Sequence, residues 1–419
     1  MRGSRLCVAA VMVVLALVGA GPTSALVPVV PVVPVEVPLP PLPPLPSPVD
    51  ARIASALTAR VTPAAFGDRF SGQVVDAATG AVVWELNAGW PLRPASTAKL
   101  VTASQALATY GPRHRFTTSV LRGSSWGQVV LVGGGDPSLS SGDLAVLARG
   151  TAAQLSLHGV TRVKLWFDDS LFPRPSLATG WKAKYVPTDV RAVRALVVDE
   201  HHRADTSLDA ALAFAGRLRR TGIEVTAVGR GRAPAGAPLV ADVRGDRLDQ
   251  IVARMLLTSD NDHAEALHRL VALGVGAAPT GAGSAAAQNS LLAGRGLTIG
   301  PRQLYDGSGL SRSARLSAAQ LVALVLDPVF VSGTSLPVSG VSGTLRSSLG
   351  RFKTAPSACA AGLVHAKTGS LDDVVALAGW TTDADGFVKA FAFVVNGKPD
   401  SLTLKRRVDA LAATITGCY

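Results

Sequence analysis

Between residues 99 and 110 apolar side chains recur at helical spacing, and Gly111-Pro112 stops the run. This predicts a helix that opens near Ser96. Ahead of it, residues 51–60 read as a helix, and residues 71–76 and 81–86 as two strands joined by a turn at Thr79-Gly80. Residues 115–121 predict a further strand. From residue 125 the pattern changes. Short apolar runs at 129–132 and 163–169 alternate with Gly, Pro and Asp, and a helix-like stretch at 208–220 precedes a strand-like one at 223–228. Helical spacing returns at 248–257, 264–273 and 317–326. Residues 362–370, 373–382 and 386–395 then predict three strands, and 404–414 a closing helix. The expected fold class is α/β (α+β), an antiparallel sheet with helices packed against it. One catalytic domain in two parts, 49–124 and 246–419, would be interrupted by an inserted module at 125–245.

The first 48 residues stand outside this scheme. Residues 1–25 read as a signal peptide: Arg2 and Arg5 make a basic start, 6–19 an apolar core, and Thr23-Ser24-Ala25 a small-residue cleavage point. The apolar run is short for a membrane span, with an uncleaved anchor as the alternative. Residues 26–48 hold ten prolines, too many for a helix or a central strand, and predict a disordered, extended polyproline spacer. The protein is therefore expected to be exported, to a periplasmic, cell-wall or extracellular site. Cys7 leaves with the signal, so Cys359 and Cys418 remain as one pair in an oxidising compartment. A disulfide between them would tie the C-terminal tail to the segment before residue 362; two buried free thiols are the alternative.

The net charge of +12, carried mostly by arginine, suits anionic wall polymers or acidic lipids. Nucleic acid is not an expected partner, because the basic residues are scattered and no basic stripe is interleaved with aromatics. The glycine run at 133–135 lacks a following Gly-Lys-Ser/Thr and reads as a turn. His263 and His268 are five apart, the wrong spacing for one helical face, so no metal and no cofactor are predicted.

Candidate chemistry begins at Ser96. Of nine lysines only Lys99 has a serine three residues before it, and on a helix the two share a face. An amine whose pKa is lowered by burial can take the serine proton, and the helix N-terminus favours a developing oxyanion. Alone, the spacing is also that of an ordinary capped helix start. Two further motifs follow. In Ser259-Asp260-Asn261, Ser259 can relay a proton, Asn261 can hold a substrate carbonyl and the lysine, and Asp260 can brace the turn. Only this asparagine of the four has a serine two residues before it. In Lys367-Thr368-Gly369-Ser370, Lys367 and Thr368 can grip a substrate carboxylate. Gly369 can admit the substrate backbone, and the Ser370 N–H can complete an oxyanion hole with that of Ser96. Lys353-Thr354-Ala355 is a decoy that lacks the glycine and is followed by Pro356. Ser308 has no base placed beside it and is not a candidate nucleophile.

Ser-x-x-Lys, Ser-Asp-Asn and Lys-Thr-Gly in this order resemble the signature of penicillin-binding proteins and serine β-lactamases. Pro94-Ala95-Ser96, Phe116-Thr117-Thr118, Gly135-Asp136-Pro137, Ala264-Glu265, Asp306-Gly307-Ser308-Gly309-Leu310-Ser311 and Lys367-Thr368-Gly369-Ser370-Leu371 narrow the resemblance. They are similar to the class C low-molecular-mass penicillin-binding proteins, DacB-type D-alanyl-D-alanine carboxypeptidases and endopeptidases, over residues 65–415. This chain has Thr97-Ala98 where that family usually has Asn-Thr. The resemblance implies a penicillin-recognising serine transferase fold, with an all-helical lobe beside the sheet and an insertion between the first two motifs. It also implies that Ser96 attacks the carbonyl between two D-alanines with Lys99 as base. Ser259 would protonate the leaving amine, and Asn261, Lys367 and Thr368 would hold the peptide. Peptidoglycan peptides would be substrates and β-lactams inhibitors. The alternatives are a serine β-lactamase of the same fold, for which no deacylating base is evident, and a wall-binding protein with a dead site.

Overall fold

The computed structural model describes residues 47–297, 303–327, 330 and 336–419. The expected signal peptide, and the expected spacer up to residue 46, lie outside the described residues. Ser47 and Pro48 belong to the fold. The Ser47 side chain accepts from Asp50 N and caps the helix Pro48–Arg60, whose first turn tolerates the proline because no hydrogen bond is lost there.

Strands are numbered in chain order. β1 (Arg69–Asp76), β2 (Val82–Leu86), β8 (His365–Leu371), β9 (Val374–Thr382) and β10 (Val388–Asn396) form one antiparallel sheet in the order β2-β1-β10-β9-β8. Side chains alternate across it. Ala390, Ala392 and Val394 of β10 face one core, while Phe391, Phe393 and Val395 face another. The bulky face packs with Phe70 and Trp84 under the helices Pro48–Arg60 and Leu402–Ile415. The small face lets the helix Ala318–Val325 approach closely, and the turn Ala95–Ala98 that leads into the helix Lys99–Tyr110 packs on β8 and β9. Behind them Leu248–Thr258, Asn261–Gly274 and Gly281–Gly294 complete an all-helical lobe. The helix Lys99–Tyr110 therefore runs between sheet and lobe, and β8 is the sheet's edge.

A second sheet holds β3 (Thr117–Arg122), β4 (Gln128–Val132), β5 (Arg162–Asp168), β6 (Glu224–Arg230) and β7 (Leu239–Arg244) in the order β6-β5-β4-β3-β7. β4, β5 and β6 are parallel, and the helices Ser141–Leu157 and Thr206–Arg219 make the crossovers. Both helices pack on one face of this sheet. β3 pairs with β4 and β7, so this layer begins at Thr117, not at the expected break at residue 125. The glycine run at 133–135 is part of the turn that leaves β4. Among the described residues no helix is long and apolar enough to cross a membrane.

Cys359 and Cys418 form a disulfide, with Cα atoms 6.2 Å apart. It fastens the tail after Leu402–Ile415 to the segment that leads into β8. The two cysteines are 59 residues apart, and opening such a loop costs about 4 kcal/mol in the chain-entropy model. Replacing both with serine is expected to lower the urea midpoint accordingly, with activity of the folded molecules retained.

Candidate active site

The chain enters the Lys99–Tyr110 helix through a 3-10 turn, Ala95–Ala98. Ala95 sits at φ 47°, a conformation that residues with a side chain avoid and that persists only when the surroundings impose it. Those surroundings are two glycines. A Cβ on Gly309 would lie 2.0 Å from Ala95 O, and one on Gly369 would lie 2.7 Å from Pro94 O. This corrects the expected role of Gly369. The room it leaves is taken by the chain's own Pro94 carbonyl, so the glycine seats the Ser96 turn against β8. Ser96 is not a helix cap, since the turn has no side-chain cap.

Lys99 Nζ lies 3.0 Å from Ser96 Oγ, 2.7 Å from Asn261 Oδ1 and 2.8 Å from Ser308 O. A neutral amine has two hydrogens and one lone pair. In that neutral form the amide and carbonyl oxygens can accept the two hydrogens, which leaves the lone pair for the Ser96 hydroxyl. Burial is complete and lowers the Lys99 pKa to about 8, against the opposing pull of Asp260 and Asp306.

Ser259 ends the helix Leu248–Thr258 at φ 63°, and Asp260 caps the next helix by accepting from His263 N at 2.8 Å. That tight junction presents both Ser259 and Asn261. Lys367 Nζ donates to Ser259 Oγ and to Thr368 O, each at 2.8 Å. Burial, and then the neighbouring Lys99, hold the Lys367 pKa well below its ordinary value. Thr368 Oγ1 donates to Thr344 Oγ1 at 2.8 Å, and Asn261 Nδ2 to Asp189 O at 2.8 Å. Ser96, Ser259, Asn261, Thr368 and Ser370 line one open cleft of about 960 Å³. All the residues expected at the site thus converge, and the decoy Lys353 is exposed on a loop. Glu200, Asp260 and His263 also bring ligand atoms within 4.8 Å of one another. Glu200 is paired with Arg254 at 2.5 Å and Asp260 serves as the cap, so these groups have structural duties.

Four contributors carried no assigned role in the sequence: Glu265, Asp306, Trp181 and Asp189. Glu265 Oε1 accepts from Gly307 N at 3.0 Å and Ser308 N at 2.8 Å. Asp306 accepts from Gly309 N at 3.1 Å, Ser311 N at 2.7 Å and Trp181 Nε1 at 2.7 Å. The two buried carboxyls therefore fix the loop whose Ser308 carbonyl accepts from Lys99. Burial, and then Asp306, raise the Glu265 pKa to about 7; burial also raises that of Asp306. Ala264-Glu265 and the Asp306 loop were visible as motifs, whereas nothing marked Trp181. Glu265→Gln keeps an acceptor for the loop but removes a charge that raises the Lys99 pKa. The acidic limb of the kcat/KM profile is expected to move to lower pH. Glu265→Ala orphans two buried N–H groups and is expected to cost about 2–4 kcal/mol in thermal or urea unfolding.

The D-Ala-D-Ala carboxypeptidase 3 (S13) family model matches residues 53–203 and 200–416. The chain belongs to the S13 family. A carboxypeptidase of Mycobacterium tuberculosis is 32% identical over 402 residues, covering 89% of this chain and 85% of its own length. The carboxypeptidase DacB of Mycolicibacterium smegmatis is 31% identical over 404 residues, with the same shares. Penicillin-binding protein 4 (DacB) of Haemophilus influenzae superposes with a TM-score of 0.72 at 22% identity, over 84% of this chain and 98% of its own. The expected DacB-type kinship and the mixed α/β fold of the penicillin-recognising serine enzymes are both borne out for this S13 chain.

Proposed function

We propose that this S13 enzyme works as a serine D-Ala-D-Ala carboxypeptidase on peptidoglycan stem peptides, through an acyl-enzyme on Ser96. The observation that carries this is the Lys99 amine, whose nitrogen lies within hydrogen-bond distance of Asn261 Oδ1, Ser308 O and the Ser96 hydroxyl. Lys99 takes the Ser96 proton, and Oγ attacks the carbonyl between the two D-alanines. The N–H groups of Ser96 and Ser370 hold the oxyanion. Ser259, held by Lys367, passes a proton to the departing nitrogen and regains one from Lys99, which returns to the neutral amine. Lys367 and Thr368 receive the terminal carboxylate, whose charge offsets the burial that depresses Lys367. Asn261 orients the peptide. Water then hydrolyses the ester. When the leaving amine belongs to a neighbouring stem peptide, the same steps cut a cross-link, which is endopeptidase activity. The expected signal peptide and the net charge of +12 support an exported enzyme working among anionic wall polymers.

The test pairs intact mass after brief exposure to benzylpenicillin with release of D-alanine from a short peptide ending in D-Ala-D-Ala. A lasting adduct mapped to the Ser96 peptide, with D-alanine released, is the expected result. Drug hydrolysed without an adduct would make the chain a β-lactamase. Intact drug, no adduct and no D-alanine would make it a wall-binding protein with a dead site.

A further inference from the structure

Along β5, Arg162, Lys164 and Trp166 point away from the crossover helices, at the i, i+2 spacing of one strand face. The Trp166 indole crosses β6. A Cβ on Gly229 would lie 2.8 Å from its ring and one on Gly231 3.2 Å. The ring thus rests on the backbone of both glycines while remaining 38% exposed. An indole seated on backbone with one side in water is a stacking platform for the C–H face of a sugar.

Gly231 also borders a cleft of about 760 Å³ at the carboxyl ends of β5 and β6. Its walls carry Arg174, Arg194, Arg230 and Arg232 against Asp168, Asp169 and Asp205. Arg194 and Arg230 each reach both Asp169 and Asp205, so those four charges cancel. Asp168 accepts from Ser170 N at 2.9 Å and Ala233 N at 2.8 Å, and its negative charge interacts with Arg232. Arg174 and Arg232 are exposed, and neither forms a salt bridge among the described residues. Four arginines against three aspartates leave the cleft one net positive charge, beside an aromatic platform. The cleft wall at 172–175 continues along the chain to Tyr185, which lines the catalytic cleft.

We propose that this face holds the glycan strand of peptidoglycan, with a sugar stacked on Trp166 and acidic groups of the attached peptides on Arg174 and Arg232. The choice of polymer rests on the peptidoglycan reading of the active site. Polymer anchored here would feed its stem peptides to Ser96.

The test uses the full chain carrying Ser96→Ala, so that bound polymer is not cut. It is sedimented with purified insoluble peptidoglycan stripped of covalently attached secondary polymers. Arg174→Ser with Arg232→Ser is expected to weaken binding about fivefold at low salt and to remove most of its salt dependence. Trp166→Ala is expected to weaken binding about fivefold and to leave the salt dependence in place. Because losing the indole uncovers two glycines, Trp166→Phe serves as the control for folding and is expected to bind within about twofold of the parent. Parent-like binding by both the arginine pair and Trp166→Ala overturns the proposal. So does binding seen only with peptidoglycan that still carries secondary polymers. With Ser96 restored, these substitutions are expected to leave D-alanine release from a short soluble peptide unchanged. If the parent itself releases none, the active-site reading has failed, and sedimentation still decides the surface.

Discussion

Ser96→Ala is expected to lower kcat/KM for D-alanine release by about 10⁵-fold or more, and to abolish the β-lactam adduct. The loss is large because no other hydroxyl shares the position. Ser259 Oγ is held by Lys367, and Ser308 is fully buried with its hydroxyl turned to Asp306 at 3.4 Å. The effect is not one of folding. The Ser96 side chain caps no helix, and Lys99 keeps its acceptors on Asn261 and Ser308 when the hydroxyl is gone. Stability is expected to stay within about 1 kcal/mol of the parent. Release assays with matched urea unfolding check both halves. A folded variant that retained more than about a thousandth of the activity would place the nucleophile elsewhere.

The residues that converge at the candidate site were legible because their spacing is local. Ser96 and Lys99 share one turn of structure, Ser259 and Asn261 flank one capped junction, and Lys367 to Ser370 lie on one strand. The strands of the first sheet were legible too, since Phe391 and Phe393 alternate with Ala390 and Ala392. Missed elements lacked a pattern to read. The helix Gly281–Gly294 is mostly Gly, Ala and Ser; a Thr280 cap and burial in the lobe define it, with no apolar stripe to announce it. The helix Ser141–Leu157 starts with a Ser140–Asp143 capping box that was there to be seen, but its apolar positions were lost among the short runs of that region. Long-range duties left no trace at all. Trp181 meets Asp306 across 125 positions, and Asp189 O meets Asn261 across 72. Gly369 was read as space for substrate because sequence shows the missing side chain and not the Pro94 carbonyl that fills its place.

Lys99→Arg is the sharper probe of mechanism. Arginine keeps a positive charge and several donors for Asn261 and Ser308, but it has no lone pair to offer at any accessible pH. If Lys99 is the base, this variant is expected to lose about 10²–10⁴-fold in acylation rate at every pH. The parent has a different profile. Burial puts the Lys99 pKa at about 8, so kcat/KM is expected to rise about tenfold per pH unit below that value and to level above it. The same shift appears in stability, with the sign set by proton uptake. Between about pH 8 and 10.5 the unfolded chain holds a proton on Lys99 that the folded chain has released. The penalty of burying the ammonium is therefore full below pH 8 and fades as the pH rises through that window. The Lys99→Arg chain stays charged in both states and is expected to lack this rise. A variant that retained acylation with a flat profile would show that Lys99 contributes only its charge, and the proton from Ser96 would then need another acceptor.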